Sequence, residues 1–293
     1  MYLQRAAKTS SAPRAIVPPM DRHQLYAEEI TAVSGARSPT LRRALAAVRR
    51  EDFLPPGPWM IESADGIYYS SEDADPRHVL HAVGVAIDPV RMLNNANPLK
   101  FASQMMLAEP RPGQTVFHVG SGLGYFSALF AELVGPSGKV IAAEIDPELR
   151  EKARANLAPW PQVEVIGDAM AGAPAGFDLL YSSAGLATLP RAWAEALNFG
   201  GIMVLPITGP QDHGMVILFQ KISMAGPLAA RTHSFTRHYP CLGARADEDV
   251  AALGEALRRP PSMVASLRLD PHERDESCWL HKEGWCLSAR PPA

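Results

Sequence analysis

The stretch from Val116 to Val134 constrains this chain most. It reads Val116-Phe117-His118-Val119, then Gly120-Ser121-Gly122-Leu123-Gly124, then an apolar run to Val134. A short apolar segment ending in glycine predicts a strand, and the apolar run predicts a buried helix over 123–134. Three glycines between them let the backbone turn tightly and let a ligand approach the main chain. The alternation continues downstream. Strands are predicted at 139–143, 163–166, 177–181, 202–205 and 215–220, with helices at 147–156, capped by Asp146, and at 190–197. Strands alternating with helices imply parallel β-α-β units and an α/β, Rossmann-like fold, whose ligand sits at the carboxyl ends of the strands. Two late strands without a helix between them, 215–222 and 230–237, predict an antiparallel edge.

Glycine spacing narrows the ligand. A dinucleotide turn needs Gly-x-Gly-x-x-Gly so that a pyrophosphate meets the helix N-terminus. Here the third glycine comes one residue early, and Tyr125 holds the dinucleotide position. That favours a nucleoside joined to an amino acid, with no pyrophosphate. Glu144, directly after the second strand, can accept from both ribose hydroxyls, and Ile145 follows it. Asp168-Ala169, after the third strand, can meet an adenine amino group, although a turn role suits Asp168 equally well. The candidate cofactor-binding residues are therefore His118, Gly120, Ser121, Gly122, Gly124, Tyr125, Glu144, Ile145, Asp168 and Ala169. Tyr125 could cover the amino-acid end of the ligand or pack beneath it.

The flanks are less regular. Residues 1–20 read as a loose arm and lack the apolar block of a secretory signal. Residues 21–53 predict two helices, one capped by Asp21 and one starting at Ser38-Pro39 and ending at Phe53. Residues 57–98 predict short strands and a covering loop, whose His78 and His81 are more readily solvated than catalytic. The net charge of −3 offers no broad attraction to nucleic acid, and no apolar run is long enough to cross a membrane. Three cysteines, Cys241, Cys278 and Cys286, make no disulfide framework and point to free thiols in a reducing, cytoplasmic setting. The spacing Cys278-x-x-His281-x4-Cys286 invites a metal. It lacks a paired Cys-x-x-Cys, so packing beside Trp279 and Trp285 is the expectation, with no metal site.

These residues together resemble the class I S-adenosylmethionine-dependent methyltransferases, and within them the protein-L-isoaspartate O-methyltransferase family. The segments that carry the resemblance are Val48-Arg49-Arg50-Glu51-Asp52-Phe53-Leu54-Pro55, the glycine loop, Phe177–Ala184 and Leu197–Ile207. The resemblance implies a seven-stranded sheet, S-adenosyl-L-methionine as cofactor and carboxyl O-methylation. It also implies an acceptor-side motif, Thr-Ile-Ser-x-Pro, before the glycine loop. This chain has Asn94-Asn95-Ala96-Asn97-Pro98 there, with Ala96 in place of the serine, and His118 in place of an acid. The Asn side chains could orient a carboxylate, so Asn95, Asn97 and Ser183 are the candidate acceptor-side, catalytic residues.

Four segments are expected: an arm (1–20), a helical and covering segment (21–98), the S-adenosylmethionine-binding Rossmann-like domain (99–246) and a C-terminal extension (247–293). The expected activity is O-methylation of a carboxylate on a small metabolite or modified peptide. Isoaspartate repair is the nearest alternative. A nicotinamide-dependent oxidoreductase and a non-catalytic binding module are the others. The expected partner is a small-molecule or peptide carboxylate, with no nucleic acid and no membrane.

Overall fold

The computed structural model describes residues 21–63 and 65–292, so the expected arm lies outside the described residues. Asp21 caps α1 (Arg22–Ser34) by accepting from His23 N, and Ser38 caps α2 (Pro39–Ala47) by accepting from Leu41 N. Helix α2 stops short of Phe53: Val48 is extended, and Arg50–Phe53 form a separate 3₁₀ turn. Four short strands follow: β1 (Met60–Glu62), β2 (Tyr68–Ser70), β3 (Gly84–Asp88) and β4 (Leu93–Asn95). They make an antiparallel sheet in the order β2-β1-β3-β4. Helix α3 (Pro98–Ala108) leads out of it.

The central layer then alternates as the sequence predicts: β5 (Thr115–Val119), α4 (Tyr125–Val134), β6 (Lys139–Ala143), α5 (Pro147–Leu157), β7 (Val163–Ile166), β8 (Phe177–Ser182), α6 (Arg191–Ala196) and β9 (Leu197–Thr208). The five strands pair in parallel as β7-β6-β5-β8-β9. From β9 the sheet turns antiparallel through β10 (His213–Gln220) and β11 (Leu228–Arg237).

Seven strands do not complete it. After α7 (Asp247–Ala256), three more join: β12 (Ser266–Arg268), β13 (Cys278–Lys282) and β14 (Trp285–Ser288). The full order is β13-β14-β12-β11-β10-β9-β8-β5-β6-β7. Strand β11 is thus not the edge expected of it, because Leu228 and Ala229 pair with β12.

Successive strand residues alternate faces, and the core divides accordingly. Val116, Val140, Leu179, Val204 and Val216 pack against α1, α2, α3 and α4. Phe117, Ile141, Leu180, Met203 and Ile217 pack on the other face, with Trp193, Leu253, Trp279 and Trp285. The small sheet has its own core of Trp59, Ile61, Val79 and Val85. Four side chains at about 2 kcal/mol each barely hold four short strands. Arg50 adds to them. It is wholly buried, and it donates to the carbonyls of Val79, His81, Val83 and Ala96 and to Asn95 Oδ1. Its guanidinium lies 5.9 Å from the Tyr125 ring centroid, which ties the small sheet to α4. Among the described residues, no helix is long and apolar enough to cross a membrane.

Candidate active site

The carboxyl ends of β5, β6, β7 and β8 carry the glycine loop, Glu144, Asp168 and Ser183. Gly120, Gly122 and Gly124 all have positive φ (74°, 56° and 97°), a region L side chains rarely enter. A Cβ on Gly124 would stand 2.8 Å from Leu157 Cδ1, so α5 packs where only glycine fits. Gly120 N and Ser121 N donate to Ala143 O at 2.9 and 3.0 Å, fastening the loop to the end of β6.

Glu144 completes that fastening. It is 7% exposed; its Oε2 accepts from Gly122 N at 2.7 Å and its Oε1 from Asp146 N at 3.0 Å. Burial raises its carboxyl above the usual range, against the pull of these N–H groups. Each carboxylate oxygen keeps a second lone pair for a hydroxyl. Ile145 beside it is 44% exposed, an apolar face left open at the strand end. Asp168 is exposed, and its Oδ1 accepts from Met170 N at 2.8 Å, while Ala169 is buried. Ser121 is buried, and its Oγ has no hydrogen-bond partner among the described residues. An orphaned hydroxyl within a glycine loop is what a polar ligand would satisfy.

Other candidates take different places. His118 is fully buried. Its Nδ1 lies 2.8 Å from Ser127 Oγ and its Nε2 3.0 Å from Ser183 Oγ, so both ring nitrogens are engaged inside the protein. Burial lowers its pKa to about 3, which keeps it neutral. Ser183 therefore sits at the strand end as the partner of His118. Tyr125 packs beneath the loop, not over a ligand: it is buried against Phe53, and its hydroxyl lies 2.8 Å from that of Tyr26 on α1.

Asn95 and Asn97, expected at the acceptor, are instead engaged structurally. Asn95 Oδ1 accepts from Arg50 Nε at 2.9 Å. Asn97 caps α3 through Leu99 N and donates from Nδ2 to Ala82 O at 2.6 Å. Capping is the commonest use of an Asn placed before Pro at a helix start, and a local sequence does not separate it from catalysis. His78 pairs with Asp73 and His81 with Glu29, both away from the glycine loop.

Several residues near the site come from parts of the sequence that carry no motif. The β3–β4 hairpin lies over the loop: Ile87 Cδ1 is 3.8 Å from where a Cβ on Gly122 would stand, and Arg91 pairs with Asp146, the cap of α5. Tyr68 on β2 accepts from Asn94 Nδ2 at 3.0 Å. The chain leaving β11 crosses back toward β8, where Gly185 N donates to Tyr239 O and Cys241 N to Gly185 O. Cys241 is buried there. Desolvation pushes its thiol up to about 11, helped by the charges of Asp168 and Glu144. Tyr239 is raised too, by burial and then by its neighbour Tyr68. Tyr68 and Tyr239 carry no sequence signal; the fold sets them beside Asn94, the first residue of the acceptor-side stretch.

The model of the protein-L-isoaspartate(D-aspartate) O-methyltransferase family matches residues 24–240. The chain belongs to that family. A protein-L-isoaspartate O-methyltransferase of Methanopyrus kandleri is 37% identical over 152 residues, which are 50% of this chain and 66% of that protein. One from Pyrobaculum islandicum is 30% identical over 208 residues, covering 68% of this chain and 88% of that protein. One from Aeropyrum pernix is 44% identical over 120 residues, 39% of this chain and 46% of its own length. The chain thus spans 46–66% of the first three curated relatives it matches. Among solved structures, a protein-L-isoaspartate O-methyltransferase superposes with a TM-score of 0.62 at 20% identity, covering 79% of this chain and 69% of the other. A Plasmodium falciparum protein, described as a putative member of the family in complex with S-adenosyl-L-homocysteine, superposes with a TM-score of 0.58 at 14% identity. There 76% of this chain and 99% of that one are covered. At those identities the likeness shows the fold.

Family membership sets the nicotinamide reading aside, and S-adenosyl-L-methionine is the cofactor. The residues present fit it. Glu144 has acceptor capacity for ribose hydroxyls, Ile145 offers an apolar face, and Ser121 Oγ lacks a partner.

Proposed function

We propose that the protein is an S-adenosylmethionine-dependent carboxyl O-methyltransferase whose acceptor is an isoaspartyl carboxylate in a peptide or protein. The observation that carries this reading is the family match over residues 24–240, which takes in both the small sheet and the cofactor-binding strands.

The chemistry of the site supports an acceptor that is already anionic. Bound S-adenosylmethionine supplies a methyl group on a sulfonium, a leaving group that needs no proton. A hydroxyl or amine acceptor would often need a base, whereas a carboxylate is ionised at neutral pH. His118, the imidazole at the end of β5, is neutral, buried and engaged by two serines, so it is a poor base. Glu144 and the loop would hold the cofactor. Tyr68, Asn94 and Tyr239 would bound the acceptor side, with hydroxyl and amide groups that can donate to a carboxylate. Positioning and exclusion of water are what remains for the protein to do.

One observation favours a second acceptor, a carboxylate on a small metabolite or a differently modified peptide. Ala96 packs against the core where the family resemblance leads one to expect serine, so the stretch before α3 presents no hydroxyl. Incubation with labelled cofactor separates the readings. An isoaspartyl peptide should gain label as a base-labile ester, and its aspartyl counterpart should not. A base-stable product would sink carboxyl methylation altogether. Label reaching other carboxylates but never the isoaspartyl peptide would move the assignment to the second acceptor.

A further inference from the structure

Beyond residue 240, where the family match ends, the C-terminal hairpin of β13 and β14 carries two of the three cysteines. In a regular strand, residues three apart point to opposite faces. Cys278 and His281 should therefore diverge. They do not, because the β13–β14 register shifts between Cys278 and Leu280, an irregularity of the kind that re-aims a side chain. His281 then pairs with Cys286 across the hairpin. The loop before β13 brings His272 to the same spot, with its ring 4.8 Å from that of His281. One ligand atom from each of the four residues falls within 4.8 Å of every other. Cys278 Sγ lies 3.7 Å from His272 Nε2 and 3.8 Å from His281 Nδ1.

We propose that His272, Cys278, His281 and Cys286 form a closed, tetrahedral zinc site that staples the C-terminal extension. Zinc bonds of about 2.3 Å to sulfur and about 2.0 Å to nitrogen place tetrahedral ligands about 3.5 Å apart. The spacings to Cys278 are close to that. Two thiolates and two neutral imidazoles are a soft, borderline set that suits zinc over magnesium or calcium. Binding releases one proton from each thiol, and the two thiolates then neutralise the divalent charge.

The surroundings are those of metal ligands. His272 Nδ1 lies 2.8 Å from Asp270 O, so that nitrogen carries the proton and Nε2 is left to ligate. Asp275 N donates to Cys278 Sγ at 3.4 Å, and the thiol itself lies 3.6 Å from Asp275 Oδ1, to which it donates the proton that metal binding would release. Arg268 faces Cys286 in register. Its buried Nη1 has no hydrogen-bond partner among the described residues, with only a longer ion pair to Asp275 at 3.7 Å. A guanidinium there stabilises a thiolate. All three cysteines are free, and Cys278 and Cys286 are buried. Residues 269–277 contain no helix or strand, so a four-ligand staple would fix a segment the backbone does not. Sequence spacing hides the site, because the fourth ligand precedes Cys278 by six residues and no Cys-x-x-Cys occurs.

The test is elemental analysis of the purified full chain, prepared under reductant and dialysed. We expect about one zinc per chain in the wild type and in Cys241→Ser, and close to none in Cys278→Ser or His272→Ala. If those two variants do not fold, the wild type still decides. After chelation, cobalt(II) alone should restore a visible spectrum of tetrahedral thiolate type, and zinc should restore the thermal midpoint where magnesium does not. Wild-type protein that takes up no zinc or cobalt overturns the proposal. So does a Cys278–Cys286 disulfide detected by thiol counting in the absence of reductant. Neither readout depends on methyl transfer.

Discussion

The imidazole of His118 is held neutral at the centre of the parallel sheet, and that has a price in acid. Its folded pKa is about 3, below the ordinary 6.5, because burial disfavours the charged ring. A histidine depressed in this way contributes stability that is present above the unfolded pKa and lost as pH falls toward the folded one. The unfolded chain takes up the proton and the folded chain does not. Each pH unit below 6.5 therefore costs about 1.4 kcal/mol, or about 2 kcal/mol by pH 5. Urea unfolding at pH 7.5 and pH 5 should show at least that loss, and His118→Asn should remove about 2 kcal/mol of the difference while keeping bonds to Ser127 and Ser183. His238, lowered to about 4 by burial and by Lys100, adds a slope of the same sign that survives in the variant. Equal pH dependence in the two proteins would mean that His118 protonates in place. The residue scale is also where the sequence misleads. The positions of Glu144 and Asp168 after their strands were legible because strand ends are. Asn95 and Asn97 were not, since an Asn at a cap and an Asn at a substrate look alike until Arg50 and Ala82 are seen beside them.

At the scale of elements, the parallel strands β5 to β9 declare themselves because each is a buried apolar run with a helix after it. The small sheet does not. Its strands are three to five residues long, and its core draws on Trp59, Ile61, Val79 and Val85, too scattered for any period to show. Yet this is the element that covers the glycine loop, and Arg91 is its latch. The guanidinium bonds both Asp88 within the hairpin and Asp146 at the start of α5, directly beyond Glu144 and Ile145. Both carboxylates are held below the usual range, Asp88 chiefly by Arg91 and Asp146 by the α5 N–H groups and then Arg91. Partly exposed pairs of this kind contribute about 0–1 kcal/mol to folding. Arg91→Ala should therefore leave the denaturant midpoint nearly unchanged. The affinity for S-adenosylhomocysteine should fall about fivefold, equivalent to about 1 kcal/mol, through faster dissociation. Calorimetry and stopped-flow release measure both. An unchanged dissociation rate would show that the hairpin does not hold the cofactor in.

At the scale of the molecule, the question is whether residues beyond 246 are an appendage or part of one cooperative unit. Read from sequence, they look appended: a short helix, then three segments of three to five residues, each too brief to announce a strand. In the fold they continue the sheet past β11, and Leu253, Leu267, Trp279, Trp285 and Leu287 pack into the same core as Met203, Leu205 and Phe219. Five such side chains at about 2 kcal/mol each amount to about 10 kcal/mol. That is as large as the whole stability of an ordinary domain, about 5–15 kcal/mol. Removal would also bare the start of β11, Leu228 to Ala230, whose N–H and C=O groups would invite pairing with other chains. A protein ending at residue 246 should accordingly be insoluble or unfolded by circular dichroism. Adding the cofactor should not rescue it, because ligand binding stabilises by only about 2.7 kcal/mol at a hundredfold excess over Kd. If the shortened chain is soluble, cooperatively folded and binds S-adenosylhomocysteine as the full chain does, the methyltransferase core is self-sufficient. The ten-stranded sheet would then be two units sharing an edge, and β11 would be protected by its own sequence without help from β12.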